Sequence, residues 1–486
     1  MTGMKKLLFL AVLCTAALGT LRAEIRLPDI MSGNMVLQQR SDAALWGWAG
    51  HDSRITVTVS WDKTRYTTRA DGDGYWSVKV ATPAADNTPQ TISIRENREK
   101  PVVVENVLIG EVWFCSGQSN MFMPLGGYVS QPVEGGADMI LRSGKYKNVR
   151  VALVSKRAAT EPREIVDGRW MESTPADAAR FSATAYCFAV AMNEILGIPV
   201  GVIACSWGGS HIAGWMPGEL LRTLGYENVA AKAADEKRGN GRPTVMYNGM
   251  LYPLRHYTVR GFLWYQGCSD VAGYKDYARY QTAMVKHWRE LWGLGELPFY
   301  FVEIAPYEYG AGRRGYRLRE AQQKSLDMIP NSGMASTADL VMPYETRNIH
   351  PSRKREVGER LAMLALEHTY GVKGVESENP RFEKMEPLPD GGVALSFTHC
   401  RNGFSTTGEI TGFEAAGADR VFRPARASVL SKERKIALHC PEAGGIVAVR
   451  YLQRNFSIAN LHNMRQLPVL PFRTDDWPLD DIGRIR

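Results

Sequence analysis

Between residues 107 and 372, apolar runs of strand length alternate with longer amphipathic stretches. The runs include VLIGEVWF, VRVALVS, PVGVIACSW, GFLWYQG and PFYFVEIAP. The stretch YKDYARYQTAMVKHWRELWG repeats bulky residues at three- and four-residue steps, which predicts a helix. These residues are Tyr277, Tyr280, Met284, Trp288 and Leu291. Strands and helices in alternation predict a parallel sheet with helices on both faces, which binds ligands beyond the carboxyl ends of its strands.

Shorter, two-periodic segments flank this region on both sides. Residues 24–106 contain RITVTVSW, YWSVKVAT and TISIRE, which alternate apolar with polar positions and predict a small antiparallel, sandwich-like β-domain. Residues 373–486 contain GGVALSFTH, KIALHC and GIVAVRYLQ. The sequence therefore predicts an α/β domain at 107–372, an N-terminal β-domain, and a β-rich C-terminal region packed on the core.

The first 23 residues have the pattern of a secretory signal peptide. Lys5 and Lys6 precede the apolar segment LLFLAVLCTAAL, and Ala23 offers a small residue for cleavage. Leu13 is bulky for the position before a lipidated cysteine, which disfavours lipid anchoring at Cys14. No second long apolar run follows, so the sequence predicts an exported, periplasmic or extracellular protein that does not span a membrane.

The net charge and the cysteine spacing indicate which classes of ligand and which disulfide bonds to expect. The formal net charge is +8 and falls to about +5 without the leader. Because the basic residues are dispersed, nucleic-acid binding has little support, whereas an anionic small substrate is compatible with this charge. No HExxH-like spacing is present, so we expect neither a metal nor another cofactor. The mature cysteines show no CxxC pair, and Cys400 with Cys440 is the first disulfide to test. The oligomeric state is not indicated.

A serine follows the first apolar run of the predicted sheet, in FCSGQSNM. A strand ending near Phe114, a turn at Ser116 and Gly117, and a helix from about Asn120 would place Ser119 at the carboxyl edge of the sheet. The free N–H groups of a helix N-terminus can bind an oxyanion there, which suits a nucleophile. A serine that only caps the helix fits the same pattern equally well.

Possible partners of this serine occur further along the chain. His350, in RNIHPSRKREVGERLAML, precedes a predicted helix capped by Ser352, and a helix N-terminus disfavours the imidazolium, as a general base requires. An ordinary loop histidine is the alternative. Gly208 and Gly209 follow a buried strand in SWGGSH, and Gln266 ends another in WYQG, so each could donate an N–H group to an oxyanion.

Taken together and in this order, GQSNM, WGG, WYQG and NIHP resemble the blocks of the SGNH (GDSL-like) hydrolase superfamily, and specifically of the sialate O-acetylesterase family. MVLQQ, WGWAG and LPVLPFRTD resemble further segments of that family. The resemblance implies an SGNH-type sheet and a cofactor-independent enzyme that removes O-acetyl groups from free or glycan-linked sialic acids, with the 9-O ester as the expected position. It implies Ser119 as nucleophile and His350 as base. The N–H groups of Ser119 and of Gly208 or Gly209, with Gln266, would form the oxyanion hole.

Two departures from the family pattern concern the orienting acid. Relatives read WYQGESN where this chain has WYQGCSD, so Cys268 and Asp270 replace Glu and Asn. Superfamily members often place an Asp three residues before the histidine, where this chain has Arg347. An orienting carboxylate could come from Asp339, Glu345 or Asp270, or be absent, leaving a Ser-His dyad.

Substrate recognition has candidates and alternatives. Arg347 and Arg319 are candidates for binding the carboxylate of a sialic acid, although both could instead be surface arginines in salt bridges. Competing functions are an esterase for another acetylated glycan such as xylan, and a non-catalytic glycan-binding protein on the same fold. The presence of both Ser119 and His350 argues against a non-catalytic protein. A lipid esterase is disfavoured because no long apolar lid-like segment is present.

Overall fold

The structure is a computed structural model that describes residues 24–310 and 312–477. The predicted signal peptide, residues 1–23, lies outside the described residues. Among the residues described, no helix combines the length and apolarity needed to cross a bilayer.

Strands form the N-terminal part of the chain. They are β1 (Val36–Gln38), β2 (Asp42–Trp48), β3 (Arg54–Val59), β4 (Arg65–Arg69), β5 (Tyr75–Ala81), β6 (Asp86–Glu96) and β7 (Val102–Gly117). β3 pairs antiparallel with β4 and β6, β6 pairs antiparallel with β7, β1 runs parallel to β7, and β2 pairs with β5. The alternating burial of β3 and β5 matches the two-periodic pattern of their sequences.

The MVLQQ segment attaches to the middle of β7. Gln38 Nε2 donates to Glu111 Oε2 at 3.0 Å, and Gln39 Nε2 donates to Oε1 of the same carboxylate at 2.6 Å. Gln38 Oε1 also accepts from the Val112 N–H at 2.9 Å. Both glutamines therefore satisfy the buried carboxylate of Glu111, which would otherwise be costly to bury.

Strand β7 continues from this N-terminal sheet into the centre of a parallel sheet. The other strands of that sheet are β8 (Val149–Val154), β9 (Gly168–Glu172), β10 (Val200–Ser206), β11 (Gly261–Tyr265), β12 (Phe299–Val302) and β13 (Ser332–Ala335). Their order is β13-β12-β11-β7-β10-β8-β9, with only β9 antiparallel to its neighbour along this path. Because β7 crosses the predicted boundary between residues 106 and 107, the two units share one strand, and the domain boundaries stay a prediction.

Helices cover both faces of the parallel sheet. They are α1 (Ser119–Phe122), α2 (Gly136–Arg142), α3 (Pro175–Ala178), α4 (Ala183–Leu196), α5 (Gly218–Thr223), α6 (Val229–Ala234), α7 (Tyr274–Trp292), α8 (Gly315–Met328) and α9 (Lys354–Leu364). Successive residues of β7 point to opposite faces. Phe114 packs in the hydrophobic cluster that contains Trp288 of α7, while Trp113 packs in the cluster that contains Phe188 of α4 and Leu361 of α9.

The helix predicted from YKDYARYQTAMVKHWRELWG is present as α7. Tyr277, Met284 and Trp288 are buried, and Tyr280 and Leu291 pack against the same cluster while partly exposed. The spacing of the bulky residues therefore identified both the helix and the face that it presents to the sheet.

Short antiparallel strands form the C-terminal part. They are β14 (Phe382–Pro387), β15 (Val393–Phe397), β16 (Phe404–Thr406), β17 (Phe413–Ala416), β18 (Arg423–Pro424), β19 (Arg426–Leu430), β20 (Lys435–His439), β21 (Ala448–Tyr451), β22 (Leu461–Asn463) and β23 (Phe472–Arg473). One sheet has the order β14-β15-β20-β19 and another β18-β17-β21-β23. The rings of Phe382 and Phe472 stack at 4.7 Å between these two sheets. Cys400 and Cys440 are both free thiols, so the disulfide considered above is not formed.

A buried ion pair ties the C-terminal strands to α9 and β13. Both guanidinium Nη atoms of Arg360 in α9 donate to Asp339, each at 2.7 Å, and one of them also donates to the carbonyl of Gln466 at 3.3 Å. His462 Nε2 lies 3.2 Å from the same carboxylate. Burial alone would raise the pKa of Asp339, but hydrogen bonds and charge from Arg360 and His462 hold it at about 2. Asp339 is therefore an ionised structural anchor.

We expect Arg360→Met to destabilise the fold strongly, because it leaves the Asp339 carboxylate buried without its bidentate partner. The expected loss is ~3–5 kcal/mol in the free energy of unfolding. Arg355→Met is the matched control, since it removes the neighbouring cation of the same helix, whose side chain is 44% exposed; it should change stability by about 0.5 kcal/mol or less. Urea unfolding followed by tryptophan fluorescence measures both, and equal losses would contradict an anchoring role.

Candidate active site

Ser119 lies where the central strand meets a short helix. β7 extends to Gly117, three residues beyond the predicted end at Phe114, because its last residues still pair with both β10 and β11. Gln118 is the N-cap of α1 and Ser119 is its first residue, so the helix-capping alternative for Ser119 is wrong. The Ser119 Oγ instead lies 2.7 Å from His350 Nε2.

The two residues before Ser119 explain why the chain turns here. Gly117 has φ of +140°, and a Cβ atom at this position would lie 2.2 Å from the carbonyl oxygen of Tyr265, so a glycine is required. The Gln118 N–H donates to that same carbonyl at 3.0 Å. Gln118 Oε1 in turn accepts from the Gly267 N–H at 3.1 Å. The end of β7 is thereby fastened to the end of β11.

His350 reaches the serine from the loop before α9. The N-cap of α9 is Arg353 and makes no side-chain capping bond, so the prediction that Ser352 caps this helix is wrong. The loop is attached to α1 through Asn120, whose Nδ2 donates to the carbonyl of Ile349 at 3.0 Å. Asn120, the residue after Ser119, thus fixes the position of Ile349, the residue before His350.

The other imidazole nitrogen contacts an amide. His350 Nδ1 lies 2.7 Å from Gln131 Oε1, so Nδ1–H donates to the amide oxygen and Nε2 is left to accept from Ser119. Gln131 stands in a tight turn, where its backbone exchanges hydrogen bonds with Tyr128. The Tyr128 ring also packs edge-on against the imidazole, with centroids 5.0 Å apart. Sequence reasoning missed Gln131 because PLGGYVSQP signals a turn and carries no catalytic residue type.

The three carboxylates considered as orienting acids are all bonded elsewhere. Asp339 forms the ion pair with the guanidinium described above. Glu345 is buried and accepts from the backbone N–H groups of Met342 and Ser352, both at 2.8 Å, which shapes the loop before α9. Asp270 accepts hydrogen bonds from Gln266 and from the loop after β10. None of them makes a hydrogen bond to the imidazole among the residues described, so none of these candidates orients His350, and of the two alternatives the one without a carboxylate fits the geometry.

Gln266 is also occupied. Its Nε2 donates to the Ser210 carbonyl at 3.0 Å and to Asp270 Oδ2 at 2.5 Å, which uses both amide hydrogens. Asp270 further accepts from the Ile212 N–H and contacts His211 Nδ1, both at 3.0 Å. The interpretation of Gln266 as an oxyanion donor therefore needs correction: this buried side chain and Asp270 hold the loop that follows β10.

That loop brings Gly208 to the serine, and Gly209 follows it in the turn. A Cβ atom on Gly208 would lie 3.3 Å from the Cβ of Ser119. Asn240 Nδ2 donates to the Gly208 carbonyl at 2.7 Å, and Gly209 adopts φ of +72°. In the described part of the chain, the backbone N–H groups of Ser119, Gly208 and Gly209 make no hydrogen bond. The N–H groups of Ser119 and of Gly208, which lies against Ser119, are candidate donors to an oxyanion, and Gly209 follows in the same turn.

The electrostatic surroundings keep the imidazole neutral. Burial, and secondarily the positive charge of Lys354, lower the pKa of His350 to about 4. A neutral imidazole with Nδ1–H on an amide can accept the proton of the Ser119 hydroxyl. Within the described ranges, no three His, Cys, Asp or Glu side chains cluster as metal ligands.

The two arginine candidates lie in different environments. Arg319 of α8 is buried, with 1% of its surface exposed, and its guanidinium donates to the carbonyls of Arg454 at 2.6 Å and Leu452 at 3.3 Å. It cannot bind a substrate carboxylate, so this prediction is wrong. Arg347 is exposed and makes no hydrogen bond or ion pair to the residues that the structure describes.

Residues 109–367, which carry this arrangement, match the model of a family described as carbohydrate esterase, sialic acid-specific acetylesterase. The chain belongs to this family. Membership makes it a carboxylic ester hydrolase, as the sequence predicted.

Similar proteins extend the comparison over most of the chain. The sialate O-acetylesterase of Homo sapiens is 29% identical over 409 residues, which cover 77% of this chain and 76% of that protein. The sialate O-acetylesterase of Mus musculus is 25% identical, with 92% and 94% covered. The crystal structure of a carbohydrate acetylesterase from Xanthomonas citri superposes with a TM-score of 0.83 at 31% identity, covering 93% of this chain and all of that one. The predicted fold class is confirmed.

We expect the acid limb of the kcat/KM profile to lie near pH 4. The base acts only when unprotonated, so activity falls as the pH drops through the His350 pKa of about 4. An unperturbed histidine would give a limb near ~6.5. Hydrolysis of a neutral aryl acetate at graded pH measures the limb, with circular dichroism at each pH to confirm that the protein stays folded.

Two variants of Gln131 test the origin of this limb. Gln131→Glu places a carboxylate on Nδ1, which favours the imidazolium and should move the limb to higher pH. Gln131→Met removes the acceptor at similar length and should lower kcat by ~10²- to 10⁴-fold, because the tautomer is no longer fixed. A limb that is the same in the wild type and in Gln131→Glu would contradict the contact between Gln131 and His350.

Proposed function

We propose that this carbohydrate esterase is a sialate O-acetylesterase in which Ser119 is the nucleophile and His350 the general base. The observation that carries the proposal is the 2.7 Å contact between Ser119 Oγ and His350 Nε2. It is supported by the free backbone N–H groups next to Ser119 and by membership of an acetylesterase family. Its acetylated carbohydrate substrate would be a free or glycan-linked sialic acid.

The proposed reaction has two halves. His350 Nε2 takes the proton of Ser119 as Oγ bonds to the acetyl carbon, and Nδ1–H stays on the Gln131 amide oxygen. The N–H groups of Ser119 and of Gly208 or Gly209 stabilise the oxyanion. The ester C–O bond then breaks, and the imidazolium gives its proton to the departing sugar oxygen. Water, deprotonated by His350, attacks the acetyl-serine. The bond between Ser119 Oγ and the acetyl carbon then breaks, the imidazolium returns the proton to Oγ, and acetate leaves.

Recognition of an anionic sugar is assigned to Arg347. It lies three residues before the proposed base, is exposed, and lacks a carboxylate partner among the described residues. A guanidinium binds a carboxylate through two parallel hydrogen bonds. The relatives named sialate O-acetylesterase favour sialic acid as the owner of that carboxylate. The 9-O ester is the proposed position.

A second candidate is an esterase for a different acetylated glycan, such as xylan. It is favoured by the Xanthomonas citri structure, all of which aligns with 93% of this chain and which is titled only a carbohydrate acetylesterase. Export to the periplasm or the cell exterior remains part of the proposal, as do the domain limits 24–106, 107–372 and 373–486.

Ser119→Ala should abolish acetyl release while leaving the melting temperature nearly unchanged, because among the described residues the hydroxyl hydrogen-bonds only to the imidazole. Acetate release is measured on 9-O-acetylated sialic acid, on its 4-O-acetylated isomer and on acetylated xylan. Faster turnover of the 9-O ester supports the proposed substrate and position. Preference for xylan selects the second candidate. Normal turnover by a folded Ser119→Ala protein would remove Ser119 as the nucleophile.

Arg347→Ala should lower kcat/KM for acetylated sialic acid by about tenfold or more, since an ion pair is lost, and leave a neutral aryl acetate within about twofold. Arg98→Ala is the matched control, because it removes an exposed guanidinium in the turn between β6 and β7, at the end of β7 opposite Ser119. Equal effects of Arg347→Ala on both substrates would contradict carboxylate recognition by this residue.

A further inference from the structure

Lys354 is a buried cation in a place that does not favour one. It has 0% of its surface exposed and forms the first residue of α9. Burial opposes its charge, and so does the positive end of the helix dipole. In the described part of the chain no ion pair offsets these costs. A buried charge of this kind near reacting groups points to a functional reason for its retention.

The ammonium joins the two loops that carry the proposed catalytic residues. Lys354 Nζ donates to Asn120 Oδ1 at 2.9 Å and to the carbonyl of Pro351 at 2.5 Å. Asn120 Nδ2 donates to the carbonyl of Ile349 at 3.0 Å. Through Nδ2, the side-chain amide of Asn120 is thus bonded to Ile349, the residue before His350. Through Oδ1, Asn120 accepts from Lys354, which also donates to the carbonyl of Pro351, the residue after His350.

We propose that Lys354, acting through Asn120, is a positioning residue that holds His350 in line with Ser119 and places a positive charge near the imidazole. This inference rests on the proposed function, because it assigns Lys354 a part in the reaction of that Ser-His pair. The ammonium contacts neither of the two reacting side chains, so its effect is indirect.

The charged and titratable groups around the pair define the expected pH behaviour. Lys354 faces the carboxylate of Glu345 from the turn before α9 and the thiol of Cys268 from the turn after β11. His350 faces Lys354 and packs against the ring of Tyr128, whose hydroxyl donates to the Ser119 carbonyl and whose pKa burial raises. Burial lowers the pKa of Lys354 to about 7, against the opposing effects of Glu345 and Cys268. Lys354 is therefore charged throughout the range in which His350 titrates.

The decisive variant is Lys354→Met, which keeps the length of the side chain and removes both the charge and the donors. With a neutral aryl acetate we expect kcat to fall by about 10- to 100-fold, because small misplacement of a catalytic group is costly. KM should stay within about threefold. The acid limb of kcat/KM should move up by about one pH unit, since the imidazolium is no longer repelled. Arg355→Met, the matched control on the same helix turn, should leave kcat and the limb unchanged.

Asn120 separates the two parts of the role. Asn120→Ala removes the tie to Ile349 but keeps the Lys354 charge, so kcat should fall without an upward shift of the limb. Asn120→Asp retains an acceptor for Lys354 and adds a carboxylate beside it. This variant should fold even if Lys354→Met does not, and its limb should move up because the new charge offsets that of Lys354.

The outcomes distinguish this inference from the proposed function. A folded Lys354→Met protein with wild-type kcat and limb overturns the positioning role, while loss of activity in Ser119→Ala would still support the Ser-His reaction. If Lys354→Met does not fold, an acid limb of kcat/KM that stays at the wild-type pH in Asn120→Asp overturns the positioning role instead. Full activity in Ser119→Ala would instead overturn the proposed function. A fall in kcat of the same size in Arg355→Met would show that general loss of charge, and not the contact with Asn120, is responsible.

Discussion

The parallel pairing of the last residues of β7 with β10 and β11 is the constraint on which the site depends. Carboxyl ends of parallel strands meet at one edge of a sheet. Ser119 follows β7, Gly208 follows β10, and the tie to Gly267 follows β11. The first half of β7 belongs to the N-terminal sheet, where it pairs with β1 and β6. One continuous strand therefore fixes the position of Ser119 relative to both sheets.

The charges around His350 differ from those of a triad that contains a carboxylate. An amide oxygen accepts from Nδ1, and the buried ammonium of Lys354, which donates to Asn120, adds a positive charge that lowers the pKa of the imidazole. Both favour the neutral imidazole, so the ring stays unprotonated down to low pH. The same surroundings stabilise the imidazolium of the transition state less than a carboxylate would. In the proposed reaction, His350 would therefore lose some stabilisation of its imidazolium and gain a neutral form that persists in acid.

The fold and the two central site residues could be predicted because their signals are local or follow from topology. Strand and helix periods gave α7 and the parallel sheet, and strand ends gave the positions of Ser119 and Gly208. Gln131 could not be predicted, since it lies 219 residues from His350 and an amide in a turn has no chemical signature. The sequence predicted Arg319 and Gln266 at the carboxyl edge of the sheet, but the direction of each side chain depends on partners elsewhere in the chain. Backbone carbonyls of the C-terminal region accept hydrogen bonds from Arg319, and Asp270 accepts one from Gln266.

The four residues GQSN show why so short a string can indicate a function. Gly117 allows the backbone to approach Tyr265, and Gln118 fastens the turn to the end of β11. Ser119 contacts the imidazole, and Asn120 holds the histidine loop and the buried lysine. Each side chain, or its absence, is thus required by a different neighbour. Because those neighbours come from separate parts of the chain, a substitution in any of the four positions would disturb the meeting of Ser119 and His350, even where the altered residue touches neither.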